Sequence, residues 1–182
     1  MSLSIISNQT TQPTNLKFRP PPTITTKMLK LKFTPLPSPL SLPTAQPSLT
    51  TLHRPVTSPS SSPCRRCLRD GIPGQTMLLL QYNPFPPTSP ASPYTVPGPI
   101  YVHADTNECT PFQCDGRVPE QQRRRLLAVR AFDADNMMVG FAVVQGTELG
   151  EKAAEMLGGE GVGFLLVFYA GPGCFAVRAD RG

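Results

Sequence analysis

The chain has 182 residues and a formal net charge of +5, unevenly spread: residues 1–69 hold nine Lys or Arg and no acid, whereas residues 70–182 hold eight against all twelve Asp and Glu. The C-terminal part is therefore acidic, which argues against nucleic acid as its partner. No apolar run reaches the roughly 18–20 residues of a membrane span, and the five cysteines, an odd number, fit a disulfide framework poorly.

Composition divides the chain near residue 62. The first glycine is Gly71, and all fourteen follow Asp70. Residues 1–63 hold twelve prolines and twenty-one Ser or Thr. A stretch without glycine for its turns, and broken so often by proline, buries too little to offset its ordering entropy. Residues 1–62 are therefore expected to be a disordered, basic, Pro/Ser/Thr-rich tail, with a single domain over 63–182. Three readings of the tail compete: an organelle import peptide, a plain disordered extension, or a start assigned too far upstream. Leu3–Ile6 is too short for a secretory core of roughly 7–15 residues. The expected location is intracellular, in the cytoplasm or in an organelle if the tail directs import. Within the tail, Leu29-Lys30-Leu31-Lys32-Phe33 alternates with period two, which suits a strand with one apolar face rather than a membrane-binding helix.

In chain order the domain opens on Cys64-Arg65-Arg66-Cys67. Met77–Tyr82 reads as a strand after the turn Ile72-Pro73-Gly74. Pro84–Pro99, with seven prolines in sixteen residues, reads as a stiff surface connection. Ile100–His103 is a short strand, with Tyr101 and His103 on one face. Arg125–Phe132 and Met137–Gln145 form a hairpin around Asp133-Ala134-Asp135-Asn136. Glu148–Leu157 is the one clear helix. Thr147 caps it, Gly158 ends it, and Leu149, Ala153, Met156 and Leu157 form its apolar stripe. Glu148 and Lys152 sit one turn apart on its surface. Val162–Tyr169 is apolar throughout, as in a central strand buried on both faces, and Cys174–Arg178 follows it. The expected fold class is α+β: a small antiparallel sheet of about five or six strands with one helix packed on it.

Several blocks in order carry a family resemblance: Cys64-Arg65-Arg66-Cys67-Leu68-Arg69-Asp70 with Gly74; Tyr82-Asn83-Pro84-Phe85; Gly98-Pro99-Ile100-Tyr101-Val102-His103 followed by Cys109; Arg130-Ala131-Phe132-Asp133; and Gly173-Cys174-Phe175-Ala176-Val177-Arg178. Over residues 64–182 the chain resembles the family catalogued as domain of unknown function 1203. That resemblance brings no assigned activity and no catalytic residues with it.

The strongest chemical pattern is Cys64-x-x-Cys67 with His103 and Cys109, Cys114 being an alternate fourth ligand. Zinc takes four Cys or His ligands tetrahedrally, and a CxxC knuckle supplies two of them. Unligated small cysteines and a redox or disulfide pair are the competing readings. The redox reading is weakened because Gly71-Ile72-Pro73 ends any helix that would lower a thiol pKa. His103 is either a general base or a hydrogen-bonded structural residue. Arg123-Arg124-Arg125 is either a phosphate contact or a solvated strand entrance. Arg130, inside a strand, needs a partner such as Asp133 if its face is buried. Gly158–Gly163 follows a helix and precedes a strand, the reverse of the order that phosphate binding needs. Two functions follow. The first is a non-enzymatic binding or structural module stapled by zinc. The second is a small enzyme with His103, Arg130 and a cysteine lining a pocket under the proline-rich loop.

Overall fold

The computed structural model describes residues 29–36, 51–85 and 90–182. Among these residues eight strands form two antiparallel sheets. The strands are β1 (Leu31–Thr34), β2 (Leu52–Pro55), β3 (Thr76–Tyr82), β4 (Gly98–His103), β5 (Leu126–Phe132), β6 (Met138–Gln145), β7 (Phe164–Tyr169) and β8 (Phe175–Arg181). The larger sheet has the order β1-β8-β7-β5-β6, and the smaller has the order β2-β3-β4. A one-turn helix α1 (Glu120–Arg123) precedes β5, and α2 (Leu149–Leu157) follows β6. No helix among the described residues is long and apolar enough to cross a membrane.

The alternation of side chains along each strand builds two cores. On one face of the larger sheet, Val129, Val167 and Val177 stand opposite one another, as do Ala131, Leu165, Ala179 and Phe33. They pack with Leu149, Ala153 and Leu157 of α2, so the helical stripe meets the sheet as expected. On the other face Phe132, Phe164, Leu166 and Phe175 join Met77, Leu80, Ile100 and Val102 of the smaller sheet. The β7 strand is central, and Leu165, Leu166 and Val167 are fully buried. Leu166→Ala is expected to cost about 2–5 kcal/mol of unfolding free energy, measured by urea denaturation. A loss well under about 1 kcal/mol would be the signature of an exposed edge instead.

The fold differs from the sequence expectation at several points. The single sheet is two, because β3 and β4 pair with each other and with β2, not with the β5–β8 strands. The tail is not free of the domain where it is described. Leu31–Thr34 pairs with β8, Leu52–Pro55 pairs with β3, and Phe33, Leu36 and Val56 are buried in the two cores. The period-two segment at 29–33 is indeed a strand, and a boundary at residue 63 does not separate packed from unpacked chain. Residues 1–28 and 37–50, to which the coil expectation also applied, lie outside the described residues. Finally, Glu148 does not pair with Lys152. Its carboxylate accepts from the Gln145 backbone N–H in a capping box, and Lys152 pairs with Glu155. The entry to the helical segment is thus capped from Gln145, not from Thr147.

Candidate metal centre

A tight turn presents the two cysteines of the knuckle. Pro63 and Asp70 form an antiparallel bridge, and the Cys64 N–H donates to the Arg69 carbonyl at 3.0 Å. Closing so short a loop puts Leu68 at φ +52°, a conformation that L residues adopt reluctantly. The loop is tied to β4 by a parallel bridge between Cys64 and Tyr101 and by the Arg65 N–H, which donates to the Tyr101 carbonyl at 3.0 Å. That docking sets Cys64 and Cys67 beside His103 at the end of β4. The helical turn Thr106–Glu108, whose entry is capped by the Asp105 carboxylate, then returns the chain so that Cys109 faces the same point.

The result is one cluster. The ligating atoms of Cys64, Cys67, His103 and Cys109 all lie within 4.8 Å of one another, and all four residues are buried. The Cys64 and Cys109 sulfurs are 3.6 Å apart, and the Cys67 sulfur is 3.6 Å from His103 Nδ1. A tetrahedral zinc ion with bonds of about 2.3 Å to sulfur would separate two ligand sulfurs by roughly 3.8 Å. A disulfide would bring them to about 2.05 Å. The spacing matches ligand edges around one ion. The other ring nitrogen, Nε2, lies 3.2 Å from Gln75 Oε1. That same oxygen accepts from the Ile72 N–H at 2.9 Å, which fixes the amide with its oxygen toward the ring. Gln75 Oε1 therefore accepts from the Nε2–H of His103 and leaves Nδ1 turned to the sulfurs, the arrangement in which an outer partner orients a ligand histidine.

The electrostatics describe groups competing for few protons. The Cys64 thiol is held far below the usual thiol range, first by its hydrogen bond with Cys109, then by Cys67 and His103. Cys109 is pushed up by its hydrogen bonds with Cys64 and Cys67 and by burial. His103 is raised to about 10 by hydrogen bonding to Cys64 and then Cys67. A buried anionic sulfur ringed by donors is an environment that a cation can occupy in place of those protons.

A second buried assembly anchors the knuckle to the larger sheet. Arg65 donates to the Phe175 carbonyl at 2.7 Å, to the Pro63 carbonyl, and to the Cys174 sulfur at 2.9 Å. Its guanidinium lies 5.0 Å from the centre of the Tyr169 ring, and that of Arg125 lies 5.1 Å from it. Arg125 pairs with Asp70 at 2.8 Å, and Gln121 joins Asp70 to the Tyr169 hydroxyl. None of these residues carries a motif. Arg65 lies within the CxxC and Asp70 three residues beyond it, but only the fold shows what they meet.

The other candidates fall elsewhere. Cys114 is exposed and accepts from the Phe33 N–H, so it is not in the cluster. Arg130 does not pair with Asp133. Its guanidinium lies 4.3 Å over the Phe168 ring, and the Asp133 carboxylate accepts from the N–H groups of Asp135 and Met137 in the hairpin turn. Among the described residues no hydrogen bond or ion pair joins Arg130 to His103, whose ring contacts Cys67 and Gln75. The Arg123–Arg125 cluster is neutralised locally: Arg123 and Arg124 pair with Glu120, and Arg125 with Asp70. The proline-rich loop is pinned where it is described. Asn136 donates to the Pro90 carbonyl, Ser92 donates to the Asn136 carbonyl, and Tyr94 packs edge-on against Phe132. A shallow open cavity, lined by Phe112, Asp115, Arg117, Val118, Glu120 and Arg123, holds neither His103 nor any of the cysteines.

Among known proteins, no curated sequence and no solved structure matches the chain. A family model does match, over residues 61–181, which takes in the knuckle, β3 to β8 and all four clustered residues. On that match the chain belongs to the family described as protein of unknown function (DUF1203).

Proposed function

We propose that Cys64, Cys67, His103 and Cys109 hold one structural zinc ion, and that the domain is a non-enzymatic binding or structural module stapled by it. The observation that carries this reading is the convergence of four buried ligand atoms within 4.8 Å of one another. Three thiolates and an imidazole are a donor set that zinc accepts. The set is complete in itself: four protein ligands leave no position for a reacting water, which distinguishes a structural site from a catalytic one. The ligands also come from three separate places, the knuckle, the end of β4 and the turn after it, so an ion there would cross-link three segments of the same buried core. The orienting hydrogen bond from His103 to Gln75 supports the same reading.

Elemental analysis of protein purified without added metal tests it. The wild-type chain is expected to carry about one zinc per molecule, as is Cys114→Ser, whereas Cys109→Ser should lose most of it. Wild-type protein without stoichiometric metal, or a Cys109→Ser variant that keeps it, would overturn the proposal.

A further inference from the structure

Natural sheets protect their edges with charge, proline, short strands or covering segments. Three of the four edge strands here follow that rule. The β1 strand has four residues, with Lys32 among them and Pro35 directly after it; β2 carries His53, Arg54 and Pro55; β4 carries Pro99, and its end is bridged to Cys64. The fourth edge does not. The β6 strand runs for eight residues, Met138–Gln145, without a charge or a proline. It pairs with β5 on one side, and no strand among the described residues pairs with the other side. Its outward side chains are apolar: Phe141 is 76% and Val143 62% exposed.

We infer that the outer edge of β6 is an association surface for a second copy of this chain, paired antiparallel about a two-fold axis at Ala142. The register follows from the strand itself. The pairing of β6 with β5 shifts between Ala131 and Phe132, where Gly140 and Met138 are successive partners and Val139 is the extra residue. A bulge ends regular pairing, so the uninterrupted stretch begins at Gly140 and closes at Gln145, where the chain turns toward α2. A two-fold axis at Ala142 pairs Gly140 with Val144, Phe141 with Val143, and Ala142 with itself. Each large side chain then meets a smaller one, and no charge enters the window. Phe141 and Val143 lie on the face opposite α2, where Phe141 stands beside Arg130, so the joined sheet would close an apolar seam of two Phe and two Val on that face. The backbone groups of both edges would be satisfied together, as in other strand-addition contacts. A copy of the same strand fits this surface better than an unrelated partner, because the complementarity lies in the order of large and small residues along β6.

Sedimentation equilibrium of the full chain across the micromolar range tests the inference. The expected result is reversible association to twice the 19.7 kDa chain mass. Phe141→Lys and Val143→Lys, each placing two unpaired ammonium groups in the window, should weaken association by about tenfold or more. Ile72→Lys, at a side chain 60% exposed on a loop away from β6, should leave it unchanged. Both β6 variants alter exposed positions, and a native circular dichroism spectrum in each would confirm that the fold is kept. A wild-type chain that stays monomeric, as it would if residues 1–28 or 37–50 covered β6, overturns the inference. So does a dimer that survives both lysines, or one that Ile72→Lys abolishes. Zinc content in the same samples is read independently, so failure here would leave the metal reading standing.

Discussion

On the proposed zinc staple, a strong chelator should lower the unfolding free energy by about 5 kcal/mol or more, enough to unfold most of a small domain at ambient temperature. The magnitude follows from what the ion would replace. Without it, three sulfurs and an imidazole sit within 4.8 Å of one another in a buried site, joined to one another by long sulfur hydrogen bonds of 3.6 Å. Around the site the knuckle touches β4 through one bridge and one backbone hydrogen bond. Cys64→Ala should behave like chelation, and adding a chelator to that variant should change little further. Denaturant titration with and without chelator measures both. A shift of less than about 1 kcal/mol in the wild type would mean that the fold does not depend on an ion.

Phe33→Ala should destabilise the chain by about 3–5 kcal/mol, although it lies in a segment whose composition reads as coil. The ring is fully buried in the core between the larger sheet and α2, and Phe33 stands opposite Ala179 on β8. Its backbone N–H also donates to the Cys114 sulfur. Deleting residues 1–36 should lower the melting temperature at least as much, because it removes the whole of β1 and Leu36 with it. Differential scanning calorimetry of the two variants measures this. Unchanged melting would mean that β1 contributes nothing to the core.

Much of the fold was legible because its signals are local. The period of α2, the apolar run of β7 and the turn residues at 133–136 each specify their element within a few residues of sequence. The partition into two sheets was not legible, since pairing between β3, β4 and β2 depends on contacts that no period encodes. The contribution of the tail was half legible. The alternation at Leu29–Phe33 marked a strand, but its partner, β8, lies near the other end of the chain. Proline and Ser/Thr content on either side argued for coil. At the site, the CxxC spacing with His103 and Cys109 marked the four residues whose ligating atoms converge, Cys114 standing as an alternate that the fold leaves outside. The supporting groups were not. Gln75, Gln121 and Tyr169 have ordinary neighbours in sequence and acquire their roles only when the knuckle docks between the sheets. Arg130 misled for a related reason. Burial of a cation suggested an acid partner, and an aromatic face meets that need instead.

X-ray absorption at the zinc edge of the purified chain reads the proposed coordination shell itself. The expected spectrum is that of one four-coordinate ion with three sulfurs at about 2.3 Å and one nitrogen at about 2.0–2.1 Å, losing the nitrogen scatterer in His103→Ala. A coordination shell containing a bound water or fewer than three sulfurs, or a spectrum unchanged in His103→Ala, would contradict it.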